Sequence, residues 1–238
     1  MPYPDAPTDG TGLVVALPAE AHSLGVRGLR VGECVRWRHG WVAISGIGAD
    51  NAARAAERLL ACGVDRLANW GVAGALDATL APGDVLIPDL VRHTETDPGI
   101  AIDDVAGEHL FSVLSPGLNV HRGMLWSAQR PIASVADKRA LAERSGAIAV
   151  DMEAAPIAAV ATRAGLPFVA VKAICDPAAR ELPASIVRAL DGVDSRFSLR
   201  MLAAIAFGGP ACWRAARCLA RDFALARRSL ATAATLAT

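Results

Sequence analysis

Three carboxylates give the first indication of chemistry. Glu20 follows the apolar run at 12–17, Glu153 follows the run ending at Val150-Asp-Met, and Asp176 closes the run at 168–175. In an open α/β sheet, the carboxyl ends of the strands form the edge at which ligands bind. One glutamate at a helix start is ordinary, because the helix dipole favours it there. Acids at several strand ends point to a site. Gly46-Ile-Gly48 and Gly71-Val-Ala-Gly74 fall at the same edge and add backbone N–H donors. Gly46-Ile-Gly48 lacks the remaining spacing of a dinucleotide fingerprint, so no dinucleotide site follows from it.

The elements that must position these groups are legible as apolar runs broken by turn residues. Strands are expected at 12–17, 41–45, 66–70, 85–90, 123–127, 147–150 and 168–175, and helices at 50–61, 135–145 and 154–164. Gly71-Val-Ala-Gly74 reads as a tight loop after the strand at 66–70. The strand–helix–strand unit at 147–175 predicts two parallel strands with a right-handed crossover. The acidic stretch 93–118 reads as an irregular loop over the site. The expected architecture is one α/β domain over 12–207, a mixed but mostly parallel twisted sheet flanked by helices. A disordered lead-in at 1–11 precedes it, and a basic helical tail at 208–238 follows.

Composition narrows the function classes. The chain has 238 residues, is 53% hydrophobic and 20% charged, and its 24 cationic and 24 anionic side chains cancel. Such a chain builds a core and has no net field for nucleic acid. The cancellation hides an asymmetry: 188–238 holds eight Arg against three acids, or +5, leaving −5 for 1–187. The five cysteines, Cys34, Cys62, Cys175, Cys212 and Cys218, form no Cys-x-x-Cys, and the five histidines show no metal-ligand spacing. Reduced thiols in a cytoplasmic protein without a metal site are therefore expected. The polar, Pro-rich start is unlike a signal peptide, and Gly208-Gly-Pro210 interrupts the longest candidate for a membrane span.

In Trp213 to Leu230, Arg214, Arg217, Arg221 and Arg228 share one helical face. Two readings of that tail stand. One is a core-packed terminal helix with a solvated basic face, and the other is a surface helix meeting anionic lipid.

Several stretches together resemble the purine nucleoside phosphorylase / methylthioadenosine nucleosidase superfamily across roughly 12–205. They are Ala16-Leu-Pro-Ala-Glu20, Ser45-Gly-Ile-Gly48, Asn69-Trp-Gly-Val-Ala-Gly-Ala75, Pro82-Gly-Asp84, Arg122-Gly123, Val150-Asp-Met-Glu-Ala154 and Pro167-Phe-Val-Ala-Val-Lys-Ala-Ile-Cys-Asp176. The Asp-Met-Glu variant with an Arg-rich tail is most similar to the hopanoid-associated branch, which removes adenine from adenosylhopane. The resemblance implies cleavage of a purine N-glycosidic bond without a cofactor, with water or co-substrate phosphate as nucleophile. It assigns Asp176 to protonation of the leaving base, Glu153 to the ribose hydroxyls and Glu20 to activation of water. It places Met152 on the sugar face, Ile132, Gly71, Val72 and Cys175 around the substrate, and Gly46, Gly48 and Lys172 at the nucleophile. It also implies a homo-oligomer.

Two departures bear on the nucleophile. Val72 stands where relatives have Ser or Thr, and Asn69 where phosphate-using relatives carry Arg. A dianion needs donors, and an Arg supplies them as a fork; Lys172, Arg122 and the glycine-turn amides are the remaining candidates. Cys175 reads as a packed, inert thiol. The alternatives are a soluble salvage enzyme for a small nucleoside such as methylthioadenosine, and a non-catalytic nucleoside-binding module. Three acids with no structural need disfavour the last.

Overall fold

The computed structural model describes residues 10–182, 187 and 209–237. Most of the expected lead-in and the segment before the tail lie outside the described residues. The first strand, β1 (Thr11–Val15), is followed by a one-turn helix, α1 (Pro18–Ala21), and a 3₁₀ turn at His22–Leu24. Next come β2 (Cys34–Trp37), β3 (Gly40–Ile44), α2 (Ala49–Ala61), β4 (Arg66–Ala75), β5 (Val85–Arg92) and β6 (Ile100–Ala101). The chain continues through α3 (Asp104–Leu114), β7 (Val120–Ser127), α4 (Val135–Ser145), β8 (Ala149–Asp151), α5 (Ala154–Ala164) and β9 (Phe168–Asp176). A long helix, α6 (Gly209–Leu236), is the last.

The strands form one mixed sheet in the order β2-β3-β1-β4-β8-β7-β5-β6, with β9 pairing both β4 and β5. Followed around, β4-β8-β7-β5-β9 returns to β4, so five strands close on themselves. That closure brings strand ends from distant parts of the chain to one rim.

The closure also corrects two expectations. β4 does not end at Trp70: it runs through Gly71-Val-Ala-Gly74, pairing β9 from Leu67↔Phe168 to Gly74↔Asp176 with a register shift after Ala73. The glycines there are strand residues beside which side chains pass. β8 pairs β4 antiparallel whereas β9 pairs β4 parallel, so β8 and β9 run in opposite directions. A three-residue β8 seated against the far end of a bent β4 joins the two ends of the curled sheet, and a simple parallel crossover cannot do that.

The region 93–118 is also more ordered than expected. Asp103 accepts from the Ala106 amide at 2.8 Å and starts α3, whose Leu114 is fully buried. One core cluster packs α2 and α5 on one side of the sheet through Ala52, Leu59, Ile157 and Ala161. A second packs the other side, where Ala226, Leu230, Ala233 and Ala234 of α6 meet Val15, Ile44, Trp70 and Val171. The basic tail is therefore a core-packed helix, and Arg214, Arg217, Arg221 and Arg228 form its solvated face.

Candidate active site

Glu20 is placed by its own turn. Pro18 opens α1, and the Glu20 carboxylate folds back so that Oε2 accepts from the amides of Ala16 (2.8 Å) and Leu17 (2.9 Å). Oε1 reaches across to β4 and accepts from the Val72 amide at 2.9 Å. The close approach requires Gly71, because a β-carbon there would lie 2.6 Å from Glu20 Oε1. A carboxylate has about four acceptor positions; three are filled, which leaves one at Oε1. Burial raises the Glu20 pKa, opposed by the charge of Lys172 and by the three amides.

Glu153 stands at the entrance to α5. Its Oε1 accepts from the Gly48 amide at 2.9 Å, and its Oε2 from the Met152 amide at 3.3 Å. Burial, reinforced by neighbouring Asp151 and opposed by Lys172, raises its pKa from 4.5 to about 7. Asp151 is the structural acid of the group. It accepts from the Ala154 amide (2.9 Å) and the Ser127 hydroxyl (2.8 Å), and pairs with Lys172 Nζ at 2.7 Å. The Lys172 side chain is buried, and the surrounding carboxylates hold its pKa above the ordinary value against desolvation. It acts as a counter-ion beneath Glu20 and Glu153.

Asp176 ends β9 beside Gly74, whose added β-carbon would lie 3.6 Å from Asp176 Oδ2. Burial raises its pKa, while Lys138 pulls the other way, its Nζ 2.6 Å from Oδ2. Asp176 Oδ1 is buried and has no hydrogen-bond partner among the described residues. Gly71, beside Glu20, and Gly74, beside Asp176, are three residues apart on β4, roughly 10 Å along the strand. The two acids therefore lie against the same stretch of β4.

The other expected residues divide. Met152 and Val72 are half-buried at this rim, and Ile132 packs beside Trp126 and Val150. Cys175 packs into the second core cluster, and burial drives its thiol pKa well above normal, so it is an inert thiol. Gly46 does not offer a free donor, because its amide is given to the Ala16 carbonyl at 3.0 Å. The Gly48 amide is likewise given to Glu153. Arg122 lies elsewhere, paired with Asp89 at 2.5 Å on the α3 side. His121 bonds Asp84 at 3.1 Å, away from the acids, and His22 is exposed.

Sequence reasoning missed Lys138 and Ser127. The signal for Lys138 was present: a lysine in the first turn of a helix opened by Ser134 and Asp137 opposes the dipole. Among the described residues, no cluster of three or more His, Cys, Asp or Glu could hold a metal ion. A cleft of about 920 Å³ opens at the opposite edge, by Thr11, Arg66 and Pro167, and carries none of the three acids.

Residues 31–205 match the Phosphorylase superfamily, and the chain belongs to that family. It is 34% identical over 158 residues to a 5′-methylthioadenosine/S-adenosylhomocysteine nucleosidase of Exiguobacterium sp., across 58% of this chain and 67% of that protein. The fold is shared with the nucleosidase of the same name from Neisseria meningitidis, in complex with methylthio-immucillin-A. There the TM-score is 0.68 at 20% identity, covering 96% of this chain and 99% of that one. It is shared equally with futalosine hydrolase of Helicobacter pylori strain 26695, with TM-score 0.68, 18% identity, and 96% and 97% covered. The expected class, an enzyme cleaving N-glycosidic bonds, agrees with these relatives.

Proposed function

We propose that the protein hydrolyses the N-glycosidic bond of small 5′-substituted adenine nucleosides of the methylthioadenosine type, with water as nucleophile. The observation that carries the choice of water is electrostatic. Glu20, Glu153 and Asp151 surround one buried cation, Lys172, already paired at 2.7 Å. Lys138 and Arg180 are paired with Asp176 and Asp222. The Gly46 and Gly48 amides are committed as well. A phosphate dianion entering here would meet carboxylates, and Lys172, Lys138 and Arg180 are each already paired with one.

The reaction follows from the placement. The C1′–N9 bond breaks with its electron pair going to the base, and Asp176 delivers a proton to a purine ring nitrogen. Glu153 accepts from the ribose hydroxyls, and its charge stabilises the oxocarbenium-like sugar. Water adds to C1′ and yields its proton to Glu20, giving free adenine and a free sugar. General acid catalysis of this kind contributes about 10²–10⁴-fold.

A lipid-linked adenosyl substrate has less support. It drew on the basic tail as a membrane helix, and α6 spends its apolar face on the core. Adenine release from methylthioadenosine, adenosine and adenosylhopane, each with and without phosphate, tests the proposal. Methylthioadenosine is expected to be the best substrate, at a rate indifferent to phosphate. Preference for adenosylhopane would favour the lipid reading.

A further inference from the structure

Lys138 touches the site but has no part in the reaction above. It lies in the first turn of α4 and is 1% exposed. A cation there faces the positive end of the helix dipole and has lost its water, so neither the helix nor the core favours it. Its surroundings account for it. The ammonium has three protons and three acceptors: Asp176 Oδ2 at 2.6 Å, the Arg180 carbonyl at 2.9 Å and the Pro177 carbonyl at 3.1 Å. The Leu182 amide donates to the Ala133 carbonyl at 2.9 Å, tying the same connection to the segment before α4. From the other side, the Arg180 guanidinium pairs with the buried Asp222 of α6. The end of β9 is thus gripped by α4 and α6 together.

The consequence for Asp176 is an asymmetry between its oxygens. Oδ2 accepts from an ammonium, while Oδ1 is buried with no partner among the described residues. A carboxylic acid with one oxygen accepting from a cation carries its proton on the other. We propose that Lys138 is a positioning residue that, by holding Oδ2, keeps the transferable proton of Asp176 on Oδ1, the atom left to meet the leaving base. The inference rests on the reading of Asp176 as the acid. The charged and titratable groups facing Asp176 are Lys138 of α4, Arg180 of the connection, Asp222 of α6 and Cys175 of β9 itself. Lys138 is the largest of those opposing the effect of burial. Without it, Asp176 stays protonated to higher pH.

The test compares two leaving groups in one enzyme. Adenine needs a proton to depart, and the nitrophenolate of 4-nitrophenyl β-riboside does not. Lys138→Met is expected to lower kcat for methylthioadenosine about 10²-fold, with KM little changed and a far smaller loss on the nitrophenyl riboside. The alkaline limb of kcat should move up by about one pH unit, and Lys138→Arg should restore part of the rate. The ratio of the two rates within one preparation is independent of the folded fraction, so partial misfolding cannot imitate the split. Equal loss on both substrates, or no loss on either, would overturn the proposal. Asp176→Asn is the control, expected to show the same split. Unimpaired adenine release by that variant would refute the acid reading itself. A split in Asp176→Asn with none in Lys138→Met would refute the positioning role alone.

Discussion

At the scale of single residues, the site places carboxylates where burial works against their charge. Glu153 shows the consequence for stability. Its pKa is raised from 4.5 in the unfolded chain to about 7 in the fold, so the folded state holds that proton more tightly. Stability is therefore greatest below about 4.5 and falls as pH rises through about 7, the sign opposite to that of a salt-bridged acid. The loss is on the order of 3 kcal/mol. Urea denaturation from pH 5 to 8 should show this decline, and Glu153→Gln should flatten it; a parent protein that gains stability across that range would contradict the assignment. Gly71 gives a second prediction. Because a β-carbon there would lie 2.6 Å from Glu20 Oε1, Gly71→Ala should displace that carboxylate and lower kcat by at least tenfold, about 1.4 kcal/mol at the transition state. Circular dichroism would check that the fold survives, and steady-state kinetics would show whether turnover does not.

At the scale of elements, what was legible in the sequence followed the apolar runs. The strands at Thr11–Val15, Gly40–Ile44 and Phe168–Asp176, and the helices α2, α4 and α5, lie within a residue or two of their expected bounds. β2 and β6 were not expected. Gly71-Val-Ala-Gly74 was misread because two glycines mark a turn by composition, whereas here they admit Glu20 and Asp176 to the face of a continuous strand. The direction of β8 was hidden because pairing across a closed sheet depends on which distant strand end arrives beside it, and local pattern carries no record of that. Lys138 was passed over because a lysine on a polar-looking helix reads as solvated until its partner is known. The tail had two readings, and the fold supports the core-packed one: Leu230 is fully buried against the sheet. Leu230→Ala should therefore cost about 2–5 kcal/mol by chemical denaturation. Truncation after Phe207 should impair every substrate alike. A truncated protein that cleaved adenosine normally would contradict that packing.

At the scale of the whole molecule, a five-strand closure brings the ends of β4, β8 and β9 to one rim, and β1, paired with β4 outside that closure, leads into the turn that carries Glu20. The positive excess of the C-terminal part lies partly on the solvated face of α6. At that rim each described cation already has a carboxylate partner, which is the physical reason for assigning water and not phosphate as the nucleophile. The most direct measurement is product analysis with methylthioadenosine in phosphate-free buffer and again in millimolar phosphate. Equal rates of adenine release and a free reducing sugar in both, with no sugar 1-phosphate, are the predicted result. Release that requires phosphate and yields a sugar 1-phosphate would contradict the account.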